Sequence, residues 1–289
     1  MPIDVEAVLG KELDETRSSW TKTDHILYAL GLGVGVGVEA TDPRVLQYTY
    51  ENDKMRAIPT FGVVPVFDCL TAILGVPGID INPMMILHGE QETEILCDEI
   101  PLEAEAVNTA KLTNIFDKGK GALLTVEALT KQADGTPLFK NTFSIFVRGE
   151  GGFGGESGPG PGNEAPDREP DLSSAYPTMT HQAILYRLSG DRNPLHIDPE
   201  FAALGGFDRP ILHGLCTYGN VGRAVVEGMC GDDPSRFRSI KARFAAPVLP
   251  GETIVTDMWK ESDTDILVRA RVAERDIEVV KNARVTISS

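Results

Sequence analysis

The chain has 289 residues, of which 42% are apolar and 24% charged. That is the balance of a globular protein, long enough for one large domain or two of ordinary size, and it argues against disorder. With 43 acidic residues against 27 basic ones the formal net charge is −16; such a surface repels phosphate backbones and anionic lipid heads, which excludes nucleic-acid or membrane binding as the main task. Any anionic ligand has to find a local basic patch.

The N-terminal segment turns acidic before any apolar run, so no signal peptide is expected. The glycine-broken stretch Ile26 to Val38 is too short to span a bilayer. Cys69, Cys97, Cys216 and Cys230 form no CxxC pair and read as buried thiols of a reducing compartment. A cytoplasmic location follows as the expectation.

In chain order, a helix is expected over Thr23–Gly31, followed by Asp42-Pro43 and then by Pro59-Thr60-Phe61-Gly62 ahead of another apolar helical run. Strand-like sequence follows at Ala104–Leu112, Gly121–Ala128 and Thr142–Arg148, with Asp134-Gly135 as a hairpin signal between two of them. Gly149 to Pro170 holds 8 Gly and 4 Pro, a composition that cannot recover its backbone entropy by burial and so reads as a linker.

After the linker the same order returns. A helix-like run, Thr180–Ser189, precedes Asp198-Pro199 and then Pro210-Ile211-Leu212-His213-Gly214, which opens a helical run from Leu215 to Val226. Strands are expected at Ser239–Ala245, Thr253–Trp259, Ile266–Val272 and Ile277–Thr286. The landmarks Tyr28/Tyr186, Asp42/Asp198 and Pro59/Pro210 drift slowly in spacing, as loop lengths would make them, and read as an internal duplication. The division is therefore 1–148, a linker at 149–171, and 172–289, each half an α+β unit in which about four antiparallel strands follow and wrap a central helix.

The chemistry concentrates in Tyr186–Pro199. Gly190 ends a helical run and Asn193-Pro194 forces an extended or turn conformation. Asp191 and His196, five residues apart across that turn, could be aimed at one point for general acid–base work on a water or a carbon-bound proton. Alternatively, Asp191 caps the turn and His196 is a satisfied structural histidine. Gly31–Gly37 looks like a nucleotide loop but does not meet G-x-G-x-x-G and follows helical sequence, so no cofactor role is assigned. His25 and His181, at helix starts, read as surface residues.

The run Tyr186-Arg187-Leu188-Ser189-Gly190-Asp191-Arg192-Asn193-Pro194-Leu195-His196 resembles, element for element, the hydratase 2 signature of MaoC-like (R)-specific enoyl-CoA hydratases. Phe201–Gly214, Lys241–Phe244, the Gly151–Gly155 part of the linker and Leu87–Gln91 resemble the two-domain hydratase 2 of multifunctional β-oxidation enzymes, so the likeness covers essentially the whole chain. The resemblance implies a double hot dog fold, a pseudo-dimer whose halves join their sheets. It also implies reversible addition of water to a trans-2-enoyl-CoA to give the (3R)-3-hydroxyacyl-CoA, with thioester hydrolysis or mere acyl-CoA binding as the alternatives.

By the same resemblance Asp191 and His196 hold and activate the water, Asn193 orients water or substrate, and the Gly214 N–H receives the thioester oxygen. His88, Gly89, Lys118, Phe244, Arg192 and Pro194 are implied in substrate binding, and Glu51 supports the site. No metal or separate cofactor is expected, since coenzyme A is part of the substrate. One active site, in the second half, is expected, with the glycine–valine run Gly31–Val38 shaping an acyl pocket in the first. A basic cluster for the phosphates is expected from Lys118, Lys120, Arg209, Lys241 and Arg243, and a homodimer is the expected assembly.

Overall fold

The computed structural model describes residues 3–82, 85–160 and 162–289. Ten strands form one antiparallel sheet. The first half supplies β1 (Thr16–Trp20), β2 (Ile86–Ile95), β3 (Ala104–Asp117), β4 (Gly121–Gln132) and β5 (Pro137–Arg148). The second supplies β6 (Leu172–Pro177), β7 (Phe237–Phe244), β8 (Thr253–Lys260), β9 (Asp265–Val272) and β10 (Ile277–Ile287).

Their order across the sheet is β1-β3-β4-β5-β2-β7-β10-β9-β8-β6, so the second half repeats the first in reverse. The halves meet at β2 and β7, paired antiparallel from Glu90↔Arg243 to Glu94↔Ser239. Alternation is strict in β9, where every second residue is buried from Ile266 to Val272, as a sheet with one face on a core requires. Each half thus has five strands, not four. β1, β2 and β6 escape the sequence reading: β1 and β6 are short, polar and at the sheet edges, and β2, though central, carries Glu90, Glu92 and Glu94.

The helices are α1 (Val5–Val8), α2 (Lys22–Gly31), α3 (Pro43–Thr49), α4 (Phe67–Ala72), α5 (Gln182–Tyr186), α6 (Pro199–Leu204) and α7 (Gly214–Met229). The two Asp-Pro landmarks turn out to be helix starts. Asp42 accepts from the Arg44 N–H ahead of α3 and Asp198 from the Glu200 N–H ahead of α6, each with proline at the first helical position, where the missing N–H costs nothing.

The central helices differ between the halves. In the second half α7 is buried continuously from Leu215 to Val226. In the first half the corresponding run is a 3₁₀ turn at Pro59–Val63, then α4, then a further turn at Ile73–Gly75. Pro65 lies between the first two pieces and removes both an amide and the room a continuous helix needs. The expected long helix is therefore in pieces there.

The helix α7 also presses on the first half. A β-carbon at Gly222 would stand 2.5 Å from the Thr60 methyl, and one at Gly219 2.5 Å from Leu32. A single apolar core joins Trp20, Tyr28, Phe61 and Phe139 to Tyr186, Leu212, Tyr218 and the inner faces of β7–β10. A second core lies between α4 and β3–β5.

Among the described residues, 149–171 hold no helix or strand, yet they are tied down. Asp117 accepts from the N–H groups of Gly152 and Gly154, the Asn282 amide donates to the Gly162 carbonyl, and the Trp259 indole N–H donates to the Arg168 carbonyl. The linker therefore runs from the β3–β4 turn to β8. From β4 to β8 is six strand spacings, about 29 Å, well within reach of this length of chain.

Candidate active site

Chain geometry delivers the site-bearing segment. The run of α5 ends in a 3₁₀ turn at Arg187–Ser189, and Gly190 follows with φ of +124°, a conformation open to glycine and strained for other residues. The chain then swings inward at Asp191. The Asp191 carboxylate accepts from the Asn193 N–H at 3.1 Å, and the Asn193 side-chain oxygen accepts from the Leu195 N–H at 3.0 Å, capping a 3₁₀ turn over Pro194–His196. Asn193, Arg192 and Pro194 stay exposed on the outer side of the turn, while His196 is buried.

Asp191 and His196 come together. The His196 Nε2 lies 3.8 Å from an Asp191 carboxylate oxygen, and the two side chains are only 8% and 15% exposed. The His196 Nδ1 is 2.9 Å from the Ile211 carbonyl. A carbonyl can only accept, so Nδ1 carries the hydrogen and the lone pair sits on Nε2, facing the carboxylate. Burial moves the two groups toward each other in acidity. Desolvation raises Asp191 against the pull of His196, and desolvation lowers His196 against the pull of Asp191.

A third residue, His213, joins them. Its ring stacks on His196 with centroids 3.7 Å apart and planes at 27°, and its Nε2 donates to the Asp191 backbone carbonyl at 3.1 Å. Desolvation, helped by the nearby His196, pushes it down to about 2, so it is neutral at working pH. Sequence reasoning named only its neighbour Gly214. The available signal was the residue type: His213 occupies the position before α7, where Ser, Thr, Asp or Asn would cap, and its side chain makes no cap bond.

Among the described residues, Asp191, His196 and His213 form the one group of three His, Cys, Asp or Glu whose ligand atoms lie within 4.8 Å of one another. One nitrogen of each ring is committed to a carbonyl, which leaves the His196 Nε2 beside the Asp191 carboxylate.

Gly214 is the first residue of α7. Its N–H belongs to the helix turn that has no intrahelical acceptor, at the positive end of the helix dipole. Phe244 stands beside it, with ring carbons 3.5 Å from where a Gly214 β-carbon would be. Phe244 in turn meets His88 edge to face at 5.2 Å. Gly89 is the extra residue of a bulge in β2, since His88 pairs with Ile145 and Glu90 with Ser144. His88 is half-buried as a residue, but its Nε2 is shielded and has no partner among the described residues; burial lowers it to about 4. His88, Phe244 and Gly214 thus form one wall across the β2–β7 junction.

Other expected residues lie elsewhere. Lys118, at the β3–β4 turn, donates to the Ser157 carbonyl of the linker and lies 5.7 Å from the Phe116 ring centroid. Glu51 is exposed just beyond α3, and no described hydrogen bond or ion pair links it to Asp191 or His196. His25, expected at the surface, is 3% exposed, stacked against Phe61 at 3.9 Å and lowered to about 4 by burial; its helix turns that face inward. Gly33 and Gly35 have φ of +80° and +90° and meet Gln182 and Val45, so they shape a turn. A cavity of about 280 Å³ is lined by Trp20, Leu27, Phe61 and Phe67 together with Arg17, Asp24 and Asp68 of the first half, and by Leu188–Gly190, which leads into Asp191.

Comparison with known proteins agrees with this geometry. Residues 18–149 match the family described as MFE-2 hydratase 2 N-terminal domain, and residues 162–283 match the MaoC like domain. The chain is 46% identical to a probable enoyl-CoA hydratase 2 of Dictyostelium discoideum, covering 99% of this chain and 97% of that protein. It belongs to the two-domain hydratase 2 family. A second relative, the peroxisomal enoyl-CoA hydratase 2 of Arabidopsis thaliana, is 38% identical over 95% of this chain and 93% of its own. The solved MaoC-like dehydratase of Phytophthora capsici superposes with a TM-score of 0.86 at 35% identity, covering 99% of both chains. The ten-stranded sheet is accordingly a double hot dog, and the Asp191–His196 pair lies in the MaoC-like half of this hydratase 2.

Proposed function

We propose that the chain is an (R)-specific 2-enoyl-CoA hydratase, adding water reversibly to a trans-2-enoyl-CoA to give the (3R)-3-hydroxyacyl-CoA. The observation that carries this is a pair of acceptors, the Asp191 carboxylate and the His196 Nε2 lone pair, facing each other at 3.8 Å near the first N–H of α7. Two acceptors at that distance cannot bond each other, but one water placed about 2.8 Å from both donates a hydrogen to each. As that water attacks the β-carbon, the pair takes one of its protons and a proton returns to the α-carbon, so that one water supplies both. Charge then gathers on the thioester oxygen, where the Gly214 N–H and the dipole of α7 stabilise it. We propose no metal or separate cofactor for these steps.

The same reading places substrate on either side of the pair. The wall of His88 and Phe244 holds the thioester and pantetheine end, and the phosphates lie toward Lys118, Lys120, Arg209, Lys241 and Arg243. Support for Lys118 and Lys120 comes from the sheet, where the β3–β4 turn shares one end with the start of β2, at two strand spacings or about 10 Å; Lys241 and Arg243 each stand 3.9 Å from a carboxylate, that of Glu92 and that of Glu90. The acyl chain fits the cavity between Trp20, Phe61, Phe67 and Leu188–Gly190, which gives the first half its role as acyl pocket. Asn193 orients the turn that carries Asp191; Arg192 and Pro194 border the entrance, and Glu51 is left without a contact that supports a role.

A homodimer is supported by the exposed Ile184, Leu188, Ile197 and Leu204 around the site-bearing segment, an apolar surface of the kind a second copy covers. No helix among the described residues is long and apolar enough to cross a membrane; a cytoplasmic location is the reading the cysteine usage supports. The direct experiment is to follow the loss of enoyl-thioester absorbance with crotonyl-CoA and longer enoyl-CoAs and to resolve the product on a chiral column. Release of free CoA thiol in place of hydration would mean a thioesterase, and binding without turnover a carrier.

A further inference from the structure

We propose that His213 is a positioning residue for hydration: its Nε2–H holds the Asp191 backbone carbonyl and its ring braces His196, so that both acceptors are kept in register with the Gly214 N–H. The proposal rests on the hydratase reading and concerns a residue to which that reading gives no part.

Two hydrogen bonds and one ring contact tie the site-bearing turn to one short stretch of chain. The Ile211 carbonyl accepts from the His196 Nδ1–H at 2.9 Å. The His213 ring donates to the Asp191 carbonyl at 3.1 Å and stacks on His196 at 3.7 Å. Gly214, the next residue, opens α7. The base pair and the oxyanion donor are 18 to 23 residues apart in sequence, yet both are referred to residues 211–214. An acid–base pair gains from being held within a few tenths of an ångström of its productive geometry, and His213 is the side chain that spans the gap. Tyr186 closes the far side of the ring at 5.0 Å, and His213 is completely buried, so it has no freedom to leave.

Tautomer makes the idea specific. A carbonyl acceptor requires hydrogen on the His213 Nε2. The Nδ1 is then a bare lone pair, and it is buried with no partner among the described residues. Glutamine places an amide N–H near the position of Nε2, whereas asparagine places one near Nδ1. Phenylalanine keeps the stacked plate and loses the donor.

The test is steady-state hydration by H213Q, H213N and H213F, with thermal midpoints measured alongside. H213F and H213N are expected to lose about tenfold or more in kcat, the consequence of a lost bond that leaves a buried carbonyl unpaired. KM is expected to change by no more than about twofold, because the lost contact positions the reacting groups and does not bind substrate. H213Q is expected to recover most of kcat. Loss in H213Q with retention in H213N would make Nδ1 the working atom and overturn the proposal, as would wild-type kcat in H213F or a change confined to KM. Imidazole ¹⁵N spectra of the wild-type protein give an answer independent of turnover: a protonated Nε2 on His213 supports the proposal and a protonated Nδ1 refutes it. If the wild type hydrates no enoyl-CoA, the functional reading fails separately, while the spectra still report on His213.

Discussion

Replacing Asp191 by Asn separates catalysis from stability. The amide keeps an oxygen to accept the Asn193 N–H, now at 3.1 Å, so the turn has no reason to open. What disappears is negative charge. At 3.8 Å from His196, a carboxylate attracts an imidazolium with about 4 kcal/mol at an effective dielectric constant of about 20. That is worth about three decades in rate at 1.36 kcal/mol each, inside the 10²–10⁴ range usual for acid–base groups. kcat for enoyl-CoA hydration is therefore expected to fall by about a thousandfold. Stability should move the other way. The folded protein raises the Asp191 pKa, mainly by desolvation, so its folded form binds a proton more tightly than its unfolded form. The stabilising contribution is present at low pH and is lost as pH rises through the folded value. At neutral pH the wild type thus carries a buried charge that Asn removes, and the thermal midpoint of D191N should equal or exceed that of wild type, with the gap closing in acid. A variant within about threefold of wild-type kcat would refute the role assigned to Asp191.

Acid should unfold the protein at an unusually mild pH. His25 and His88 are lowered by burial to about 4 and His213 to about 2, so their stabilising effect is complete above the unfolded value of 6.5 and is lost as pH falls below it; up to three protons taken up on unfolding give a slope of about 4 kcal/mol per pH unit at most, measurable as thermal midpoint against pH. G222A should destabilise the protein even though alanine favours helix by about 1 kcal/mol. The added methyl would meet the Thr60 methyl at 2.5 Å, and overpacking of this kind costs about 1–3 kcal/mol, to be read from denaturant midpoints. Charge reversal at Lys118 and Lys120 should raise KM for enoyl-CoA and make it more dependent on salt with kcat little changed; an unchanged KM at low salt would count against that placement of the phosphates.

The double hot dog frame and the turn at Asp191–His196 were both legible in the sequence, the edges of the frame less so. Asp191, Asn193, Pro194 and His196 sit in a stretch where each residue has a local reason for its place, so the turn could be read directly. The Asp-Pro pairs and the Asp134-Gly135 hairpin, whose Gly135 has φ of +92°, were legible for the same reason. Properties decided by distant chain were not. β1 reads as Thr-Arg-Ser-Ser-Trp, with Trp20 its one buried residue, and becomes a strand because β3 pairs with it from Thr16↔Asn108 to Trp20↔Ala104. His25 looks like a solvent-facing helix start until Phe61 covers its ring. His213 gains meaning from Asp191 and His196, brought to it by the fold, and Gly33 and Gly35 owe their conformation to a turn packed on Gln182 and Val45, neighbours that the sequence alone does not bring to them.

The tethered linker has a consequence that belongs to mass action. Two hot dog halves on separate chains would find each other only as often as their concentrations allowed, and like halves would compete with unlike ones. A linker of this kind holds the partners at an effective concentration in the millimolar range, so the union of β2 with β7 is first order and independent of how much protein is made. Each half meets one partner only. The first half is thereby relieved of having to pair with its own kind, and its central helix can be broken at Pro65 without cost to the continuous helix of the second half.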